Sequence, residues 1–184
     1  MDSLAGRFLI ASPHLPDPNF AQTVVLMVQH SEEGALGLIL DRPSQSQLSE
    51  IWTQVDDQPP GIDQPIFLGG PVEGPLMAIH TSIAHAEETV IEGVYFSSGR
   101  DSLLAIVAQS ANPYRIFSGY AGWGGGQLEV EMQVGGWLTL PATEEMIFES
   151  DPTELWKQVV RRVGSDILRD TLGIKGMPED PSVN

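Results

Sequence analysis

"YRIFSGYAGWGGGQLEVEM", residues 114–132, decides how this chain is read. An apolar run opens it, five glycines fall within residues 119–126, an indole sits among them, and two glutamates follow. The first part has the composition of a strand. Glycine permits positive φ and close approach of one backbone to another. The run therefore reads as a strand ending at Tyr120 and turning sharply through Gly122–Gly126, with Trp123 covering an apolar edge. "QLEVEM" admits two readings. As a strand it puts Gln127, Glu129 and Glu131 on one face. As a helix it puts Gln127 and Glu131 on one face and leaves Glu129 off it.

A phosphate cradle is the sharper interpretation of so many glycines, and the spacing opposes it. A P-loop needs glycines set apart by four residues and then Lys and Ser or Thr, and no such sequence occurs. The dinucleotide pattern G-x-G-x-x-G is absent as well. Glu129 and Glu131 would also repel a phosphate.

Upstream, "RFLIAS" (7–12) reads as a buried strand, and the prolines of "PHLPDPNF" (13–20) stop it. "TVVLMVQH" (23–30) and "ALGLILD" (35–41) form an expected antiparallel pair around "SEEG". In "PSQSQLSEIWTQVDD", Leu48, Ile51, Trp52 and Val55 mark one helix face, with Ser46 as the expected N-cap. "IFLGG" (66–70), "PLMAIHT" (75–81) and "TVIEGVYFSS" (89–98) read as strands, the last interrupted at Gly93. A capping box at Ser98–Asp101 predicts a helix with Leu103, Leu104, Val107 and Ala108 inward, stopped by Asn112-Pro113.

Downstream, "GWLTLPA" (136–142) and "EEMIFES" (144–150) read as short strands. "DPTELWKQVVRRVGSDILRD" is the clearest helix, with Asp151 as cap, Glu154 closing a box, and Leu155, Val159, Val163 and Ile167 inward. Many strands with helices between them predict one α+β domain over residues 1–175, followed by a disordered tail, 176–184.

The chain has 184 residues, 41% of them hydrophobic, enough for a sizeable core. Its 25 acidic and 9 basic residues give a net charge of −16. Affinity for nucleic acid comes largely from Lys and Arg neutralising phosphates, so direct binding to DNA or RNA is not expected. With no cysteines there are no disulfides, thiol nucleophiles or thiolate metal sites. The first residues lack the basic start of a secretion signal, and no segment has the roughly 20 apolar residues of a membrane span. These features predict a cytoplasmic location and no membrane partner.

No complete catalytic set stands out. The four histidines form no H-x-x-x-H or H-E-x-x-H pattern, and no serine lies in a G-x-S-x-G elbow. A reactive site would have to combine Glu129 or Glu131 with His30, with or without a metal. Two adjacent carboxylates can raise one another's pKa as an acid–base pair requires. The simpler reading faces both glutamates to water and bonds His30, at a strand end, to loop backbone.

Several ordered blocks resemble the bacterial YqgE/AlgH family. Phe8, Leu9, Ala11, Pro13, Leu15, Asp17, Phe20, Val24, His30, Gly34, Ala35, Gly37 and Pro43 match its opening. "LGGPV" (68–72) matches a second block, and "GYAGWGGGQLEVE" (119–131) matches the most distinctive one. "GWLTLPA" and "DPTELW" match the closing blocks. Asp41 departs from the pattern, standing where the family usually has Asn; a carboxylate can accept the same hydrogen bonds but cannot donate them. The resemblance implies one compact domain, a bifurcated, mostly antiparallel β-sheet forming a pseudo-barrel with flanking helices.

Activity is less defined by the resemblance. The AlgH name carries a transcriptional-regulator label, and this chain offers neither a recognition helix nor a basic stripe for direct DNA contact. The expectation is therefore a binding or interaction protein without catalytic activity, cofactor or metal. Its partner would be a protein or a small molecule, bound near His30, Trp123, Gln127, Glu129 and Glu131. An indirectly acting regulator and a Glu/His enzyme are the alternatives.

Overall fold

The computed structural model describes residues 3–13, 15, 17–53, 55–57, 60–109 and 112–172, the last seven by backbone alone. The strands are β1 (Arg7–Ala11), β2 (Val24–Ser31), β3 (Gly34–Ile39), β4 (Pro43–Gln47), β5 (Pro65–Leu68), β6 (Val72–His80), β7 (Glu88–Ile91), β8 (Val94–Ser97), β9 (Tyr114–Gly124) and β10 (Trp137–Pro141). The helices are α1 (Leu48–Trp52), α2 (Arg100–Ala108), α3 (Gln127–Gln133), α4 (Glu144–Phe148) and α5 (Leu155–Leu172).

The main sheet runs β10-β1-β2-β3-β9-β6-β8-β7, with β4 and β5 branching from it. It is a curled, mostly antiparallel half-barrel in a single α+β domain. The fork lies on β9. Along its second half β3 pairs with it, Gly34–Gly37 opposite Ala121–Gly124. Along its first half β5 takes that edge in the parallel sense, Phe67 opposite Phe117. Gly119 marks the fork with φ +72°, and a Cβ there would lie 2.9 Å from the carbonyls of Gly70 and Val72. Any side chain would push these backbones apart.

Both faces of the sheet are covered, which is why β1 and β2 are apolar without alternation. Phe8, Ile10, Leu26, Leu38, Phe117 and Ile79 point into the curl, where Ile147 of α4 and Leu155 and Val159 of α5 close it. Leu9, Val25, Met27, Ala121 and Trp123 face the opposite way, under Leu128 of α3. Leu48, Trp52, Leu103, Ile106 and Val107 bring α1 and α2 onto a third cluster with Ala78 and Ile116. Each such fully buried aliphatic side chain contributes about 1.5–3 kcal/mol.

The structure corrects several local expectations. β9 continues to Gly124, so the sharp turn is confined to Gly125 and Gly126. "EEMIFES" is helical: Thr143 caps it, its Oγ1 accepting the Met146 N–H at 3.3 Å, and Ile147 is fully buried. Ser46 lies in β4, and Gln47 is the N-cap of α1, its N–H donated to Glu50. The interruption expected at Gly93 is present, a turn with φ +83° that separates β7 from β8.

The start of α2 is capped across space. Gly99 is its N-cap, and the Glu87 carboxylate accepts the N–H groups of Ser98 and Gly99. Ile106 packs inward, while Ala108 is exposed and Leu104 half-buried. Before α5, Asp151 accepts the Thr153 N–H at 2.9 Å, but Glu154 pairs with Lys157 instead of closing a box. The Ile167 side chain and the tail 176–184 lie outside the described residues.

Candidate functional site

Local backbone geometry brings the five candidate residues together. "QLEVEM" is helical, because Gly126 takes the left-handed conformation, φ +76°, and starts α3 directly after the turn. Gln127 then seals the corner: its Oε1 accepts the Gly124 N–H at 3.1 Å and its Nε2 donates to Glu131 Oε1 at 3.0 Å. That second contact joins residues four apart on one helix face.

Glu131 is a three-donor hub. Its Oε2 accepts the indole N–H of Trp123 at 3.0 Å and of Trp137 at 2.8 Å. The two indoles meet edge to face at 6.0 Å between ring centroids. Phe20 stacks on Trp123 at 5.9 Å and meets Trp137 edge-on at 5.4 Å. One carboxylate thus anchors α3 to β9 and β10 over an aromatic cluster.

His30 reaches this face through a break in register. Before the break Met27 lies opposite Gly37; after it Gln29 lies opposite Leu36 and His30 opposite Ala35. Such a bulge inserts one extra residue and flips the faces that follow. Without it His30 would follow Leu26 and Val28 into the curl. With it His30 shares a row with Ala35 and Trp123.

Both ring nitrogens of His30 are engaged. Nδ1 accepts the Leu4 N–H at 3.0 Å, which leaves Nε2–H to donate to Glu129 Oε1, also at 3.0 Å. The imidazole is 5% exposed. The backbone N–H of Glu129 itself, ahead of the His30 contact, holds that carboxyl below its ordinary pKa. A general base needs a free nitrogen facing a substrate proton, and this ring presents none.

A groove of about 740 Å³ opens beside this lock. Gln29, His30, Ser31, Leu36, Val72 and Tyr120 line it, with Trp123 at one side. The Tyr120 ring lies between Gly74 and Gly122, where a Cβ on either would come within 3.1 Å of ring carbons. Gln127, Glu129 and Glu131 do not line it. Of the polar groups expected to face a ligand, only His30 does. Among the described residues, no cluster of three or more His, Asp or Glu side chains is placed to hold a metal; the expected third member, Glu131, gives its oxygens to the indoles and Gln127.

Two charged or polar centres, Arg115 and His80, lie in no motif, and a third, Asp41, stood out in the sequence only as a departure from the family pattern. Arg115, on β9 opposite Ile79, is 7% exposed. Its signal was a cation inside an apolar strand. Asp41 accepts the Val24 N–H at 3.2 Å, and burial raises its pKa to about 6. His80, fully buried, accepts the Ser82 N–H at Nδ1 and contacts Ser97 Oγ through Nε2 at 3.0 Å. Ser97 Oγ in turn donates to the His85 carbonyl at 2.6 Å. The hydroxyl proton therefore points away from His80, the reverse of an activated nucleophile.

Curled sheet, forked β9 and glycine-cornered α3 together define a single-domain α+β protein of the AlgH type. The sequence profile of the AlgH-like family matches residues 8–168. The chain belongs to that family. It is 40% identical over 171 residues to the UPF0301 protein AlgH of Pseudomonas aeruginosa, covering 89% of this chain and 90% of that one. A UPF0301 protein of Chlorobaculum tepidum is 34% identical over 185 residues, with 97% and 95% covered. The solution structure of Pseudomonas aeruginosa AlgH superposes with a TM-score of 0.75 at 36% identity, covering 95% of this chain and 96% of that one. A Corynebacterium diphtheriae protein shares the fold at a TM-score of 0.71 and 22% identity, with 97% and 90% covered.

Proposed function

We propose that this AlgH-like chain is a cytoplasmic, non-catalytic binding protein that engages a protein or small-molecule partner at the groove beside Tyr120 and Trp123. The observation that carries this reading is the contrast between that groove and the lock next to it. The groove is open and is lined by residues of β2, β3, β6 and β9. Both ring nitrogens of His30 and both oxygens of Glu131 are already bonded within the protein. Such an arrangement suits recognition by a preformed surface better than proton transfer.

The charge balance also favours partners other than nucleic acid. With 25 acidic against 9 basic residues, any influence on transcription runs through a partner rather than through DNA contact. No helix among the described residues is long and apolar enough to cross a membrane.

The test is capture from native cytoplasm with the whole chain as bait, followed by mass spectrometry of retained proteins and small molecules. A parallel bait carries Val72→Glu, a change at a position 36% exposed on the groove wall. The expected result is a partner retained by the wild type and lost by the variant. A partner held equally by both places recognition elsewhere, and turnover of a captured small molecule overturns the non-catalytic reading.

A further inference from the structure

A second groove, of about 610 Å³, lies at the other end of β9. Arg115 lies against it, and Ile62, Phe67, Tyr114, Phe148 and Pro152 supply apolar wall. Arg115 as a residue is only 7% exposed, yet the contacts of its guanidinium are weak. Nη1 donates to the Leu40 carbonyl at 3.5 Å and Nη2 to the Ser150 carbonyl at 3.4 Å, both at the limit of a hydrogen bond. Its carbon stands 4.8 Å from the centroid of the Phe67 ring.

Among the described residues no carboxylate lies within 4.0 Å of it. A buried guanidinium carries five donors and a desolvated charge, and it is ordinarily matched by an anion. This chain has carboxylates in excess, including one next in sequence to each carbonyl that Arg115 touches. Both are turned to other work: Asp41 accepts the Val24 N–H, and Asp151 accepts from Thr153. The fold thus leaves the cation unneutralised beside an open, apolar-walled groove.

We infer that this groove binds a small carboxylate with an apolar body, its carboxylate taken by the Arg115 fork and its body laid against Phe67, Ile62 and Pro152. The planar fork matches a carboxylate in two parallel bonds. A single negative charge suits the place better than a phosphate dianion, because Asp151 also lines the groove and the chain carries a net charge of −16. Burial lowers the Arg115 pKa to about 10, which leaves it charged at neutral pH. The site is separate from the groove at Tyr120, so it stands or falls independently of the partner proposed there.

The test titrates hexanoate, hexanol and inorganic phosphate into the isotope-labelled whole chain, following the NMR signals of the Arg115 side chain, Tyr114 and Phe67. Saturable shifts are expected with hexanoate, and binding about tenfold weaker with hexanol, which lacks the charge. Arg115→Gln should reduce hexanoate to the level of hexanol. Ile62→Glu, at a position 42% exposed, adds a repelling charge at the rim and should weaken hexanoate while sparing hexanol. This second variant decides the matter if the first fails to fold. Equal binding of hexanoate and hexanol, tighter binding of phosphate than of hexanoate, or indifference to Ile62→Glu would each overturn the inference.

Discussion

His30 meets Glu129 across 99 positions of sequence, Nε2 to Oε1 at 3.0 Å, while its other ring nitrogen holds the Leu4 N–H. One imidazole thereby fastens the N-terminal segment and α3 to β2. Glu129→Gln keeps an acceptor for Nε2–H and should leave folding and partner binding as in the wild type. Glu129→Leu removes the acceptor and should speed hydrogen exchange of the α3 amides. Loss of function in the Gln variant with unchanged exchange would mark the carboxylate as a reactive group.

Glu131 carries the heavier structural duty. Glu131→Ala strands two indole N–H groups and an amide, and a buried unsatisfied donor costs about 1–3 kcal/mol. The expected loss in urea unfolding is about 3 kcal/mol, with the Trp123 and Trp137 emission altered in the folded state. Glu131→Gln retains one carbonyl oxygen and should lose about 1 kcal/mol. Equal stability of both variants and the wild type would show that the hub holds nothing.

Asp41 makes stability depend on pH in an unusual direction. Burial, only partly offset by the Val24 N–H, raises its pKa from 3.8 to about 6. The folded chain therefore takes up a proton at higher pH than the unfolded chain, and stability falls as pH rises from about 4 to 6. Asp41→Asn keeps the acceptor and removes the charge. It should gain up to about 3 kcal/mol above pH 6 and nothing below pH 4, read from urea unfolding across that range. A gain that does not vary with pH would contradict this.

His80 works in the opposite sense. Burial first, then the neighbouring His85, lowers its pKa from 6.5 to about 4. Below pH 6.5 the unfolded chain gains a proton that the folded chain refuses, so stability falls as pH drops towards 4. In the wild type the two groups partly cancel between pH 4 and 6. In Asp41→Asn the His80 slope should emerge uncovered, as a steady loss of melting temperature on acidification. A flat profile in that variant would mean that His80 titrates normally.

The family, the strands and the α+β class were legible because apolar runs, turn residues and ordered motif blocks are local. "EEMIFES" misled because its single fully buried residue, Ile147, carries no visible period, and only the Thr143 cap distinguishes helix from strand. The five candidate residues lie at one corner, His30 on Glu129 and Trp123 and Gln127 on Glu131. Their roles were hidden because the bulge that turns His30 towards Glu129 leaves no mark in composition, and an aromatic pair sharing one carboxylate oxygen spans two strands and a helix. Arg115 was overlooked because its lack of an anionic partner exists only in three dimensions.

The most direct measurement is the nitrogen-15 spectrum of the His30 ring in the folded chain. A ring locked between Leu4 and Glu129 should show protonated Nε2, bare Nδ1, and slow exchange of the Nε2 proton. A ring that exchanges rapidly between tautomers would reveal an accessible base, and the corner would then be a reactive centre instead of a clamp.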